Sequence, residues 1–171
     1  MINRLKFLFL LLFTLFSAPV SAQIIDSIHY SWHVFEYKEI LDEELEPIKR
    51  CYIMSEPKNS KTSYTGNRNA YLSVTRFENE RTEEVSVSAG FEYKLSSKIH
   101  TLIGNKDFKF FTKFDSAWLG SEYKDKEFIT EMLKNDFVKV RSDSSSGSYA
   151  VDQYSLKGFA RAYKRMKDLC P

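Results

Sequence analysis

Much of this chain alternates apolar and polar residues with a period of two, the pattern of β-strands that bury one face. The run YLSVTRF at residues 71–77 shows it best, with Leu72 and Val74 on one side of the strand. Similar but less regular runs predict further strands at residues 30–35, 48–54, 85–95, 99–103, 107–114, 137–141 and 149–154. The chain is therefore predicted to be mainly β.

Glycines mark two places where the alternation breaks. Gly90 interrupts the run in which it lies, and a bulge there would return the following apolar side chains to the buried face. Gly104 and Asn105 favour a tight turn between two strands. Residues 58–69 are polar and predict a surface loop. The side chains expected in the core after these breaks are Phe91, Tyr93, Leu95, Phe108, Phe110 and Phe114.

Two segments instead show helical spacing, with one apolar stripe and charges elsewhere. The first is residues 124–135, with a stripe of Phe128, Ile129, Met132 and Leu133. The second is residues 155–169, with a stripe of Leu156, Phe159, Ala160, Tyr163 and Met166. Asp152 or Ser155 could cap the start of this second helix by accepting hydrogen bonds from its first turn.

The order of these elements sets the expected fold class. Strands and helices do not alternate as they do in a parallel sheet, and no repeat or Pro- and Gly-rich linker divides the chain. We therefore expect one domain over residues 23–171. It should be an antiparallel β-sandwich of about seven or eight strands with two helices, one of them C-terminal.

Residues 1–22 have the composition of a secretory signal peptide. Two basic residues precede an apolar run at residues 7–16, and small residues follow up to Ala22. The apolar run is about half as long as a membrane-spanning helix. We expect cleavage after Ala22 and no transmembrane span. The exported chain should lie in the periplasm or cell envelope, or at the cell surface.

The charge balance disfavours one class of partner. Two of the 25 Lys and Arg residues lie in residues 1–22, so residues 23–171 carry 23 basic and 23 acidic side chains. A formally neutral exported domain is not expected to bind nucleic acid. The 15% of aromatic residues also argues against an intrinsically disordered chain.

The neutral total hides two segments of opposite charge. Residues 36–46 are acidic, whereas the predicted C-terminal helix is basic through Lys157, Arg161, Lys164, Arg165 and Lys167. These segments are expected to face each other or a partner. Two alternatives are a plain solvated helix face and peripheral binding of anionic lipid or glycan through the helix.

Cys51 and Cys170 are the only two cysteines. An even number in an exported protein favours a disulfide, which would close most of the chain into one loop. Two buried free thiols are the alternative. A catalytic cysteine is disfavoured because no histidine lies near either cysteine in the sequence.

Motifs for catalysis or metal binding are missing from the sequence. His29 and His33 could share one strand face, but without further ligands they favour plain surface histidines. The stretch SDSSSGS at residues 142–148 favours a hairpin turn over an anion-binding nest of backbone amides. We predict no metal, no cofactor and no enzymatic activity. The enzymatic alternative is an envelope hydrolase that uses a serine in 142–148 with a distant histidine.

Short stretches over residues 48–171 resemble a known family. They are CYIMSEP from Cys51, YLSVT from Tyr71, EVSV from Glu84, AWL from Ala117, SSSGS from Ser144 and DQYSLKGF from Asp152, followed by Cys170. This resembles the invasion-associated locus B family of exported alphaproteobacterial proteins, and D-x-YSL-x-GF is the most specific part. Members often carry S-S-R-G-T at the glycine turn, where this chain has Ser146 and Ser148.

The resemblance implies a β-rich domain of the periplasm or envelope with a link, by name, to host-cell invasion, and it supplies no catalytic residues. In D-x-YSL-x-GF we expect Tyr154 to end a strand, Gly158 to let the helix pack closely and Phe159 to enter the core. Cys170 would then fasten the helix end. The expected function is that of a non-enzymatic exported protein that binds an envelope or host protein or another surface partner.

Overall fold

The computed structural model describes residues 24–39, 48–78 and 82–171. The predicted signal peptide and residues 40–46 of the acidic segment lie outside this part. The strands are β1 (Ile24–His29), β2 (Trp32–Glu39), β3 (Ile48–Ser55), β4 (Asn59–Thr62), β5 (Tyr71–Phe77), β6 (Glu83–Ser88), β7 (Lys98–Ile103), β8 (Lys106–Lys113), β9 (Ser116–Trp118), β10 (Phe137–Asp143) and β11 (Tyr149–Ser155). The helices are α1 (Glu122–Met132) and α2 (Phe159–Leu169). Within the described residues, no helix is long and apolar enough to cross a bilayer.

All of these strands belong to one antiparallel sheet, in the order β1-β2-β3-β5-β6-β9-β8-β7-β10-β11-β4. The mainly β, antiparallel class with a C-terminal helix is therefore confirmed. The number of strands is larger than predicted, and they form a single 11-stranded sheet instead of two separate ones. β1 and β4 are its two edge strands.

The sheet curls back on itself, which allows a single sheet to enclose a core. β2 is second and β11 is tenth in the sheet, yet the indole Nε1 of Trp32 on β2 donates a 2.9 Å hydrogen bond to the carbonyl oxygen of Ser155 on β11. One apolar cluster takes side chains from both halves of the sheet and from both helices. We call the side that lines this cluster the inner face and the opposite side the outer face.

Strand register explains how the alternation in the sequence builds this core. Val34, Ile53, Val74 and Val85 are successive cross-strand neighbours on β2, β3, β5 and β6. All four are fully buried. Each such side chain contributes about 1.5–3 kcal/mol compared with leaving it in water.

α1 confirms the first predicted helix, with both ends shifted towards the N-terminus. The side chain of Ser121 caps its first turn, so the helix begins ahead of the predicted boundary. Phe128 packs edge-on against two phenylalanines of β8, at 4.9 and 5.3 Å between ring centroids. The assignment of Leu133 to the buried stripe is wrong: it is the C-cap residue that directly follows the buried Met132, and its side chain is exposed.

α2 packs on the inner face of β1, β2 and β3. The ring of Phe159 lies edge-on to Trp32, with 4.9 Å between centroids. Ala162 and Met166 are buried below it, one turn and two turns later. Ala160 was expected in this stripe but is exposed, because a residue directly after Phe159 points about 100° away from it.

The second helix begins later than predicted, at Phe159. Ser155 is the last residue of β11, and Asp152 lies buried within that strand, so neither side chain caps the helix. The residue at the N-cap is Gly158, with φ +93°. A Cβ atom there would overlap the carbonyl oxygen of His29, which confirms that this glycine permits close packing.

Three strands were missed because they carry little periodic signal. The predicted strand at residues 30–35 lies mainly in β2, which begins after a turn at Tyr30 and Ser31. β1 precedes that turn and was not predicted, and a bulge between Ile25 and Ser27 breaks its alternation. β4 lies in the predicted polar loop, since an exposed edge strand needs no apolar face. β9 has only three residues.

Around Gly90 the predicted strand ends early. β6 stops before this glycine, whose φ of +69° turns the chain. Phe91 and Tyr93 are buried as expected, although they lie outside a regular strand. Leu95 is 92% exposed and Phe114 is also exposed, so both core assignments are wrong. Each lies in a tight connection, where its side chain faces solvent.

Candidate functional site

Two of the basic side chains of α2 are paired with acids of the same molecule. Arg165 donates to the carboxylate of Asp26 in β1, from Nε at 2.8 Å and from Nη2 at 2.6 Å. This hydrogen bonding lowers the pKa of Asp26 to about 2. Lys164 pairs with Asp168 one turn further along, at 2.7 Å. These cations are therefore less available for a partner than the sequence suggested.

Lys157 and Arg161 lie against an aromatic ring instead of an acid. The Nζ of Lys157 is 4.4 Å, and the Cζ of Arg161 5.8 Å, from the ring centroid of Tyr30. Lys167 lies similarly beside Tyr163, at 5.3 Å. Among the described residues these three cations have no carboxylate partner. A cation on an aromatic face keeps its charge, so these three side chains remain positively charged.

In the part that the structure describes, the acidic segment does not pair with the basic helix. Glu36 pairs with Lys49 of β3 at 3.0 Å. Lys49 also donates to the carbonyl oxygen of Leu169, at the C-terminal end of α2. The acid that the helix does contact is Asp26, which the charge pattern did not single out.

The serine stretch begins at the end of β10, and its residues 144–148 form the turn between β10 and β11. Ser144 is buried; its Oγ lies 2.9 Å from that of Ser146 and accepts a hydrogen bond from the backbone N–H of Ser148. His100 lies next to Asp107 on the exposed side of β7. Within the described residues no hydrogen bond joins a serine of this turn to a histidine. The turn thus has the hydrogen bonding of a structural hairpin.

The predicted disulfide joins Cys51 of β3 to Cys170, just past the end of α2, with 6.0 Å between Cα atoms. Beside it, Arg76 donates from Nε to the carbonyl oxygen of Cys170 at 2.6 Å and pairs with Glu83 at 2.7 Å. Both charged side chains are buried. This cluster anchors the end of the helix to the sheet, and it has a structural explanation without a ligand.

Aromatic side chains cover the outer face of β2, β3 and β5. A sheet that packs on one side normally carries polar residues on the other. Here the outward positions of these strands include five rings, which we call the outer aromatic face: Phe35, Tyr37, Tyr52, Tyr71 and Phe77. Cross-strand register brings the rings together by placing Phe35 opposite Tyr52 and Arg50 between Tyr37 and Phe77.

Three rings of the outer aromatic face, those of Phe35, Tyr37 and Tyr52, pack on one another. Phe35 and Tyr52 stack with 4.7 Å between centroids and an angle of 7° between planes. Tyr37 meets Tyr52 edge-on at 5.9 Å, and the guanidinium of Arg50 lies 4.5 Å above the ring of Phe77. Burial, with the nearby Tyr37 and Tyr71 phenols, raises the pKa of Tyr52 to about 12. Tyr52 is therefore held by aromatic contacts on both sides.

Apolar side chains extend this face on both sides. Ile25 and Ile28 of β1 are cross-strand neighbours of β2 residues on the same outer side, and both are more than half exposed. In the other direction, Trp118 of β9 lies 5.9 Å from Phe111 of β8. Both helices pack on the inner face. The outer aromatic face is thus a broad and partly exposed apolar surface.

Sequence reasoning did not identify this surface. The one available signal was that the strand positions opposite to the buried ones also carry aromatic residues, as in the YLSVTRF run. Which of those rings meet depends on the pairing of strands that are distant in the chain. In the described residues, no group of three His, Cys, Asp or Glu side chains could hold a metal ion.

Comparison with known proteins gives one match. The family model described as Invasion associated locus B (IalB) protein matches residues 40–167, which is well over half of the chain. The chain matches no curated protein and no solved structure.

Proposed function

The chain belongs to the invasion associated locus B family, and from this premise we propose that it is an exported, non-enzymatic envelope protein that binds a protein partner through its outer aromatic face. The observation that carries the proposal is the cluster of five rings on the solvent side of the sheet. Tyrosine and arginine are enriched among the residues that contribute most to protein interfaces.

The packing of this face favours binding. Tyr52 is fixed between Phe35 and Tyr37, so few side-chain rotations are lost when a partner covers it. Large and rigid aromatic side chains give contact area at a low entropic cost. The phenol groups and the guanidinium of Arg50 supply polar contacts at the same surface.

Export and the lack of catalysis rest on other observations. The signal-peptide pattern of residues 1–22 and the Cys51–Cys170 disulfide both suit an oxidising compartment. The hydrogen bonds of Ser144 are to Ser146 and Ser148 of the same turn, which supports a structural role over that of a nucleophile.

Site-specific crosslinking in the native envelope tests the proposal. A photo-crosslinking amino acid replaces Tyr71 in one variant and Lys139 in the other. Tyr71 is partly exposed, whereas Lys139 is exposed and lies on β10 in the other half of the sheet. We expect a defined protein adduct from position 71 and none from position 139. Equal adducts from both positions, or none from position 71, would contradict the proposal.

A pair of tyrosine substitutions provides the matched control. Tyr37→Ser removes a ring from the outer aromatic face, and we expect it to weaken the position-71 adduct about tenfold or more. Tyr123→Ser removes an exposed ring from α1, outside the face, and should leave the adduct unchanged. Circular dichroism would verify that both variants are folded.

A further inference from the structure

A cleft of about 400 Å³ lies at the β4 end of the sheet, and none of its lining residues belongs to the outer aromatic face. It forms where edge strand β4, the start of β10 and the connection from β11 to α2 meet. Its side chains include Lys58, Asn59, Asn135, Phe137, Gln153 and Lys157. This volume is near the lower end of the range of about 300–1,000 Å³ found for ligand pockets, so it suits a small ligand.

The polar lining of the cleft includes two side-chain amides that have no hydrogen-bond partner within the described residues. Asn135 donates from Nδ2 to the carbonyl oxygen of Glu131. By contrast, the side-chain amides of Asn59 and Gln153 form no hydrogen bond within the described residues. They lie on paired positions of β4 and β11. Each amide offers both donors and an acceptor, the combination that neighbouring hydroxyl groups of a sugar can satisfy.

One aromatic ring lies on the wall of the cleft. Phe137 is the first residue of β10, is 45% exposed, and has no ring partner among the described residues. An exposed ring beside free amides offers a flat apolar surface next to directional polar groups. This combination suits a ring-shaped ligand with one C–H-rich face and hydroxyl groups at its edge.

The charges of the cleft indicate a ligand with one negative charge. Lys58 and Lys157 line it, and neither has a carboxylate partner among the described residues. Lys157 is held near the opening by its contact with Tyr30. Asp136 supplies one carboxylate, so the net charge of the lining is positive by one. A carboxylate matches this charge better than a phosphate, which carries about −1.5 to −2.

We propose that this cleft binds a saccharide unit that bears a carboxylate, with the sugar ring against Phe137 and its hydroxyl groups on Asn59 and Gln153. Lys58 and Lys157 would meet the carboxylate. This site is separate from the outer aromatic face. Failure of either proposal therefore leaves the other standing.

Titration followed by NMR of the backbone amides tests the site on the full protein with its disulfide intact. The probes are glucuronic acid, glucose as its uncharged counterpart, and acetate as the anion without the sugar. We expect shifts at Phe137 and Gln153 with glucuronic acid, and binding at least about tenfold weaker for glucose and for acetate. If acetate binds with the same affinity as glucuronic acid, the saccharide assignment is overturned. Glucose binding equally well would overturn the role of the lysines, and no shifts would overturn the site.

Single substitutions locate the binding. Gln153→Ala and Lys58→Gln should each weaken glucuronic acid binding about tenfold. The control is Lys61→Gln, which removes an exposed lysine from the same edge strand but outside the cleft. Equal weakening by Lys61→Gln would show that general surface charge is responsible and would overturn the proposal. Unchanged amide spectra away from the cleft would establish that the variants are folded.

Discussion

At the residue scale, burial and local geometry determine what several side chains do. Asp125 of α1 is buried and accepts a 2.9 Å hydrogen bond from the backbone N–H of Val85. Burial raises the pKa of its carboxyl group to about 6, although this hydrogen bond acts in the opposite direction. The folded protein therefore holds this proton more tightly than the unfolded chain does. The free energy of unfolding should fall as pH rises from about 4 to about 6, by at most about 3 kcal/mol from this group.

Asp125→Asn tests that effect, because asparagine keeps an acceptor for Val85 but carries no charge. We expect the variant to be about 1–2 kcal/mol more stable than the original protein at pH 7.5, with no gain at pH 4. Urea unfolding at both pH values measures it. Asp115→Asn, at an exposed position, is the control and should have little effect at either pH. A gain for Asp125→Asn that is the same at pH 4 would show that its charge is not the cause.

Gly158 and Gly147 both have positive φ, at +93° and +86°, but differ in their surroundings. A Cβ at Gly158 would overlap a backbone carbonyl, whereas a Cβ at Gly147 would meet open space. Gly147→Ala should therefore cost about 1–2 kcal/mol, from the backbone conformation alone. Gly158→Ala should cost clearly more, because α2 must also move away from β1. Chemical denaturation compares them, and equal losses would rule out close packing as the reason for Gly158.

At the element scale, α2 is the part most strongly tied to distant strands. Its N-terminal end lies close to β1 through Gly158. Its C-terminal end is held by the disulfide and by Lys49 and Arg76, which donate to the carbonyl oxygens of Leu169 and of the following Cys170. Cations at this end also interact favourably with the helix dipole.

Removing the disulfide by the double substitution Cys51→Ser and Cys170→Ser should destabilise the protein by about 4–5 kcal/mol according to the chain-entropy model, since it closes a long loop. The cysteines are 119 residues apart. Hydrogen exchange should show that α2 loses protection before α1, which is not attached to the bond. Equal loss in both helices would contradict the view that the bond mainly anchors α2.

Prediction of the elements from sequence succeeded where burial imposes a period. The run at residues 71–77 is β5, and the stripe around Phe128 is buried in α1. Prediction failed for β4 and β9, because a short or fully exposed strand has no apolar face to reveal it. The start of α2 was misplaced because Leu156 fits a helical stripe while it is buried in the connection from β11.

At the scale of the whole molecule, a buried ion pair helps to hold the curled sheet closed. Arg68, in the connection from β4 to β5, donates to both carboxylate oxygens of Asp152 on β11, at 2.7 and 3.0 Å. It also donates to the carbonyl oxygen of Ala89, just past β6. Four strands separate β6 from β11 in the sheet order, so Arg68 links two parts of the sheet that are not neighbours in it.

Arg68→Leu would leave the Asp152 carboxylate buried without its cation. We expect a loss of about 3–5 kcal/mol in the free energy of unfolding. The control is Arg141→Leu, which removes the partner of Asp143 in an exposed pair and should cost no more than about 1 kcal/mol. Thermal and urea unfolding measure both variants. A loss for Arg68→Leu no larger than that of the control would mean that the pair is dispensable for closure.

The sequence by itself determined the β class, the helical stripes and the family, because alternation, helical spacing and short motifs are local properties of a chain. The even pair of cysteines likewise pointed to the Cys51–Cys170 bond. Only the tertiary structure decided that one sheet curls round the core, that Arg165 pairs with Asp26, and which side chains form the outer aromatic face and the cleft. These features join residues that are far apart in the chain, and their pairing depends on how the buried faces fit together.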